Sequence, residues 1–125
     1  MKTIITSPKA PAPIGPYSHA VLAGNTLYVS GQVAKDAASG NIINETIEAE
    51  AHKVMENVGN ILAEANFGFE NVVKTTIFLK DLNNFGTVNE VYGSFFKGNF
   101  PARETVEVSK LPLNVNIEIS VIAVK

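Results

Sequence analysis

The sequence predicts an α+β domain: a mixed, mostly antiparallel sheet with two helices on one face. Three observations lead there. In residues 115–124, Val115, Ile117, Ile119, Val121 and Ala123 alternate with Asn116, Glu118, Ser120, Ile122 and Val124, the period of a strand. Residues 46–66 set Val54, Val58, Ile61, Leu62 and Ala65 at helical spacing. The segments follow the order β-β-β, α, β, α, β-β, which suits helices sharing one face of an antiparallel-rich sheet. A chain of 125 residues without an evident repeat or linker reads as a single domain, 1–125. It is long enough to bury about two-thirds of its unfolded surface.

Residues 1–6 read as a short edge strand. Pro8, Pro11, Pro13 and Pro16 make residues 7–16 an extended surface segment, because each proline fixes φ and removes a donor. Residues 18–23 and 26–30 flank Gly24-Asn25, a two-residue hairpin signal. Leu27 and Val29 face one side of the second strand, Tyr28 and Ser30 the other. Gly31 follows at the strand end. It permits either a close approach to the backbone or a bulge. Residues 35–41 are polar and form a loop.

In the long helix Thr46 is the N-cap, and Glu48 and Glu50 lie in the first turn, where the helix dipole favours anions. Gly68 stands where a C-cap glycine belongs. His52 falls off the apolar stripe and reads as a solvated helix residue. Residues 72–80 are rich in β-branched and aromatic residues and read as a central strand. Asp81 to Asn84 supply turn and cap residues. A second helix is expected over 85–97, with Phe85, Val88, Tyr92, Phe95 and Phe96 as its stripe. Gly86 and Gly93 each cost this helix about 1 kcal/mol against alanine. Close packing of Gly93 on the sheet would account for that one, and Gly98 ends the helix. Residues 99–125 then read as a terminal strand pair joined by a turn around Lys110 and Pro112. Ile122, Val124 and Tyr28 leave the second sheet face partly apolar, and a closed oligomer with sites at its seams would cover it.

Composition excludes several chemistries. There is no cysteine, so no disulfide, thiolate cluster or thiol nucleophile. His19 and His52 are the two histidines and lack ligand-like spacing, so no metal site is expected. A net charge of -2 offers no basic surface for nucleic acid. No apolar run approaches the ~20 residues of a membrane span. The first residues have no signal-peptide pattern, so a cytoplasmic protein is expected.

Two residues stand out chemically. Glu118 is the only charged side chain between Lys110 and Lys125 and needs a partner if buried. Arg103 follows Phe100-Pro101-Ala102 at the start of the preceding strand. It offers a planar fork that matches a carboxylate. On one sheet wall the two would bind a small acid and activate water. The structural alternatives are an internal ion pair of Arg103 with Glu118 or Glu107, and a solvated Glu118. Tyr17, Ser30, Asn89 and Thr105 can line a pocket, and each also suits an ordinary boundary position. Thr105 lies two residues after Arg103 and points the same way.

Ile14-Gly15-Pro16-Tyr17, Val29-Ser30-Gly31-Gln32, Val73-Lys74-Thr75-Thr76 with Lys80-Asp81-Leu82, Thr87-Val88-Asn89, Phe100-Pro101-Ala102-Arg103 and Ile117-Glu118-Ile119 together resemble the RidA (YjgF/YER057c/UK114) family over nearly the whole chain. The resemblance implies a chorismate-mutase-like fold of the bacillus type and a homotrimer with a central sheet barrel. Clefts between its subunits would hydrolyse reactive 2-imino acids to 2-keto acids and ammonia without cofactor or metal. It implies that Arg103 clamps the substrate carboxylate and Glu118 positions water. Tyr17, Ser30 and Gly31, with Phe85, Asn89 and Thr105, would line the pocket. Many members have cysteine where this chain has Thr105, and some have a longer segment between Phe96 and Phe100. The competing functions are a small-carboxylate-binding metabolic regulator and an endoribonuclease or translation inhibitor. The charge balance disfavours the last of these.

Overall fold

The computed structural model describes residues 1–125. Six strands form one sheet: β1 (Lys2–Ile5), β2 (Ala20–Ala23), β3 (Thr26–Gln32), β4 (Val72–Leu79), β5 (Ala102–Glu107) and β6 (Ile117–Val124), in the order β1-β2-β3-β6-β4-β5. Every pairing is antiparallel except β4 with β5. Helices α1 (Ile47–Glu64) and α2 (Phe85–Gly93) pack against each other, and α1 lies on β3 and β6. No helix is long and apolar enough to cross a membrane.

Strand β6 lies in the middle because its sequence suits both neighbours. Ile117, Ile119, Val121 and Ala123 are buried against the helices, while the alternate residues are only partly covered. They meet Leu27 and Val29 of β3, Ile77 and Leu79 of β4, and Val54, Val58, Ile61 and Leu62 of α1 in one core. Full burial of such a side chain contributes about 1.5–3 kcal/mol. The expected hairpin forms at Gly24, whose φ of 61° suits glycine. The Thr46 hydroxyl accepts from the Ala49 amide and caps α1 as expected.

The structure corrects four expectations. First, residues 99–125 are not a paired hairpin. Helix α2 carries the chain from β4 to β5 as a crossover, so β5 lies parallel to β4 at the edge, and β4 separates it from β6. Second, Gly68 does not cap α1. Asn66 takes the left-handed position with φ 62°. The amides of Asn66 and Phe67 then donate to the carbonyls of Ala63 and Leu62, the paired bonds of a Schellman end.

Third, α2 stops at Gly93 instead of running to 97. Phe95 and Phe96 leave the helix path to pack on Phe69, with ring centroids at 5.4 and 5.5 Å. A β-carbon on Gly93 would meet nothing within 4 Å, so close packing does not account for this glycine. Fourth, the proline-rich segment is not wholly at the surface. Ser7 and Ala10 are buried. The imidazole of His19, itself buried, accepts from the Ser7 amide at 3.0 Å and donates to the Pro11 carbonyl at 2.7 Å.

Glu50 does more than face the helix dipole. It is fully buried. One carboxylate oxygen accepts from the amides of Asn116 at 2.8 Å and Ile117 at 3.1 Å, and the other from the Asn116 side chain at 2.8 Å. These bonds fix the start of β6 against α1. Glu50→Ala leaves buried donors unpaired and is expected to cost about 2–3 kcal/mol, with Glu50→Gln costing clearly less. Urea unfolding at one fixed protein concentration reads both values. An Ala variant within 0.5 kcal/mol of wild type, roughly the surface-substitution range, would contradict this account.

Candidate active site

The first half of the site lies on the sheet face away from the helices. Strand β3 pairs with β6 as Tyr28↔Ile122 and Val29↔Val121, then slips before Gln32↔Ile119. Ser30 and Gly31 therefore stand opposite the single residue Ser120, a bulge. The Glu118 side chain folds over this bulge. A β-carbon on Gly31 would sit 2.5 Å from its Oε2 atom, so the bare backbone of glycine makes room for the carboxylate. The bulge expected at Gly31 is present, and what approaches its bare backbone is Glu118 of the same chain.

Ser30 is fixed from the other side. Its amide donates to the His19 carbonyl at 2.9 Å, and its hydroxyl to the Ser18 carbonyl at 2.6 Å. These bonds join the bulge to the segment bearing Tyr17. Tyr17 is exposed, and it lines one shallow cavity with Gly31, Ile14 and Leu113. Burial alone pushes the Glu118 carboxyl above the ordinary carboxylate range. No cation stands within ion-pairing distance of it.

The second half is on the helix side, at the β5 edge. Arg103 pairs in register with Thr75, whose side chain is buried against Tyr92 of α2. The guanidinium donates from Nη1 to Asn89 Oδ1 at 2.7 Å. Its central carbon lies 5.6 Å from the Phe85 ring centre and 5.2 Å from that of Tyr92. Positions 85, 89 and 92 fall on one side of α2, which explains how three side chains hold one arginine. Desolvation raises the Tyr92 hydroxyl, with the Thr75 hydrogen bond opposing it.

Arg103 has no carboxylate partner, and Glu107 instead accepts from the Leu82 amide at 2.9 Å. Thr105 shares the Arg103 face, and its hydroxyl is buried without a hydrogen-bond partner. Arg103, Phe85 and Asn89 thus gather, with Thr105 on the same face, whereas Ser30 and Gly31, expected in the same pocket, lie in the Glu118 half. Tyr92 was legible only as a core residue of the helix stripe.

The expectation that Arg103 and Glu118 meet on one sheet wall is corrected. In the register across β4, Arg103 aligns with Thr75 and Val121, whereas Glu118 aligns with Phe78. Residues 75 and 78 point to opposite faces, as do 121 and 118. Within one chain the guanidinium and the acid are on different sides of the sheet. The structural alternative, an internal ion pair of Arg103, is not formed: Glu118 lies on the other face, and Glu107, on the same face, accepts from the Leu82 amide.

A six-stranded sheet with helices on one face and a half-buried acid against a bulge glycine on the other defines a small one-sheet α+β protein. The sequence profile of the family described as endoribonuclease L-PSP matches residues 7–125, and the chain belongs to that family, the one its motifs resemble. A human protein named 2-iminobutanoate/2-iminopropanoate deaminase is 46% identical over 125 residues, spanning 100% of this chain and 91% of the human one. The YjgF protein of E. coli is 42% identical with a TM-score of 0.94, covering 98% of both chains. E. coli TdcF, solved with bound serine, is 37% identical with a TM-score of 0.95, again covering 98% of both.

The raised Glu118 pKa has a stability consequence. A carboxyl whose folded pKa exceeds its unfolded one favours the fold fully below the unfolded pKa, and that contribution is lost as pH rises through the folded pKa. Relative to Glu118→Gln, wild type is therefore expected to lose stability between about pH 4 and about pH 7. Paired urea titrations at the two pH values check the sign, and a wild-type advantage that grows with pH would refute it.

Proposed function

We propose that this chain is a 2-iminobutanoate/2-iminopropanoate deaminase, a cytoplasmic hydrolase that turns reactive 2-imino acids into 2-keto acids and ammonia. The observation that carries the reading is an arginine oriented but unpaired on one sheet face, and an acid with a raised pKa against bare backbone on the other. The deaminase name of the human relative supports it, as does the serine held by TdcF, a small molecule with the same carboxylate.

Arg103 binds the substrate carboxylate through two parallel hydrogen bonds, with Asn89 and the rings of Phe85 and Tyr92 fixing its plane. The unpartnered Thr105 hydroxyl lies on the same side and donates to the bound acid. Glu118 takes a proton from water as its oxygen attacks the imine carbon, and returns it to the nitrogen to give the neutral carbinolamine. It then takes the carbinolamine hydroxyl proton and passes it to the amine nitrogen as the C–N bond breaks, so ammonia leaves and the carbonyl of the keto acid forms. Water supplies the ketone oxygen and both added hydrogens, so the step needs no oxidant or cofactor. Holding water and imine together accounts for much of the acceleration open to such a site. Tyr17, Ser30 and Gly31 frame the Glu118 side of the pocket.

The opposite faces of Arg103 and Glu118 support a site formed between two copies. We infer a homotrimer whose open sheet faces line a central barrel, with Arg103 from one subunit facing Glu118 of the next. The open face is apolar enough to require cover: Ile4 and Tyr28 are each 50% exposed and Val106 is 41% exposed. Lys74 on this face is held by Glu104 at 3.0 Å, which, after Thr76, helps keep the Glu104 carboxyl low.

Imino acids generated in situ by an amino-acid oxidase, and followed against a semicarbazide trap, test the activity. Arg103→Ala and Glu118→Gln are each expected to lower kcat/KM about 100-fold or more. Co-refolding the two inactive variants in equal amounts should restore about one quarter of wild-type activity, since that share of seams unites an intact Arg103 with an intact Glu118. Absence of recovery in a correctly assembled mixture would refute the shared site. RNA cleavage that persists in purified Arg103→Ala would instead support a nuclease.

A further inference from the structure

Leu113 has a backbone conformation that branched side chains seldom adopt, with φ 59° and ψ 17°. Asn114 beside it has φ 53°. Two successive left-handed residues, the first a leucine, make a strained turn, and glycine or asparagine would hold the same shape with less strain. The surroundings enforce it. The Asn114 amide donates to the Leu111 carbonyl at 3.0 Å, and Lys80 Nζ donates to Asn114 Oδ1 at 2.8 Å. Two residues further on, the buried Glu50 carboxylate pins Asn116.

The turn presents the leucine side chain at a defined place. Leu113 is 48% exposed and lines the shallow cavity with Ile14, Tyr17 and Gly31. The Glu118 carboxylate lies on that same Gly31. An apolar group therefore lines the cavity that reaches Gly31, the residue against which the acid lies, at the cost of a strained backbone, and little of it is used to bury core surface. Strain of this kind persists where the surroundings over-determine it, and it clusters at sites that grip ligands.

We propose that Leu113 is a specificity-determining residue. Its isobutyl group, with Ile14, forms the apolar wall that receives the substrate side chain, and it favours 2-imino acids with longer or branched apolar chains over 2-iminopropanoate. The inference rests on the deaminase reading above. Shape and apolar character at this wall decide the preference, because each methylene accepted by such a wall changes kcat/KM by about tenfold or more.

The test compares imines made in situ from alanine, 2-aminobutyrate and leucine, hydrolysed by the full chain and by Leu113→Gly and Leu113→Asn. Both variants suit a left-handed turn, so thermal unfolding should show an unchanged or higher Tm. In wild type kcat/KM should rise from the alanine-derived to the leucine-derived imine. In both variants the leucine-to-alanine ratio should fall about tenfold. A wild-type rate indifferent to chain length, or a ratio unaltered in either folded variant, overturns the role of Leu113 while leaving the deaminase reading intact. Failure of wild type to hydrolyse any of the three imines overturns both.

Discussion

A single buried carboxylate decides where the central strand begins. Glu50 sits in the first turn of α1, yet it spends its oxygens on backbone and side-chain donors of Asn116 and Ile117. A charge out of water is costly unless hydrogen bonds satisfy it, and here three do. The same bonds answer the amides at the start of β6 that no strand partner reaches. Helix and strand are thereby locked in register, so the alternation that follows has only one outcome: Ile117 and Ile119 face α1, and Glu118 faces away. A slip of one residue would bury the acid and expose the core.

From that register the division of the site follows. Strand β4 carries the pattern across the sheet by pairing with β6 on one side and β5 on the other. Arg103 inherits the helix face through Thr75, and there α2 supplies Asn89, Phe85 and Tyr92 to hold it. Glu118 inherits the open face, where the β3 bulge supplies a glycine and no donor. Each half is ordered by its own neighbours and neither is chemically complete.

Much of this was legible in the sequence. Alternation in residues 115–124 identified β6, the α1 stripe identified the core helix, and Gly24-Asn25 identified the hairpin, because each signal is local and its period is set by the backbone. The residues near Arg103 were legible through their motifs. What escaped were the long-range facts. A crossover helix and a hairpin turn can both precede a strand, so the parallel placement of β5 had no local mark, and the face of Arg103 relative to Glu118 went with it. Glu50 read as a dipole charge because the donors it meets lie 66 and 67 positions away. Leu113 carries no local signal at all: a leucine after proline advertises core or loop, not a left-handed turn.

The separation of Arg103 and Glu118 within one chain has a chemical use. Had the two met on one wall, as the sequence invites, they would have formed an ion pair already satisfied before any ligand arrived. Binding a carboxylate would then require breaking that pair, and the arginine would hold the acid's pKa down, weakening it as a base. With β4 between them, the guanidinium keeps a free face and the acid keeps the upward shift that burial gives it. In the shared site proposed above, a seam between two copies would bring them near one another with the substrate between. The substrate's own carboxylate would then neutralise the arginine, and the acid would remain able to take a proton from water. On that proposal the sheet that divides the two groups is what would allow both to work.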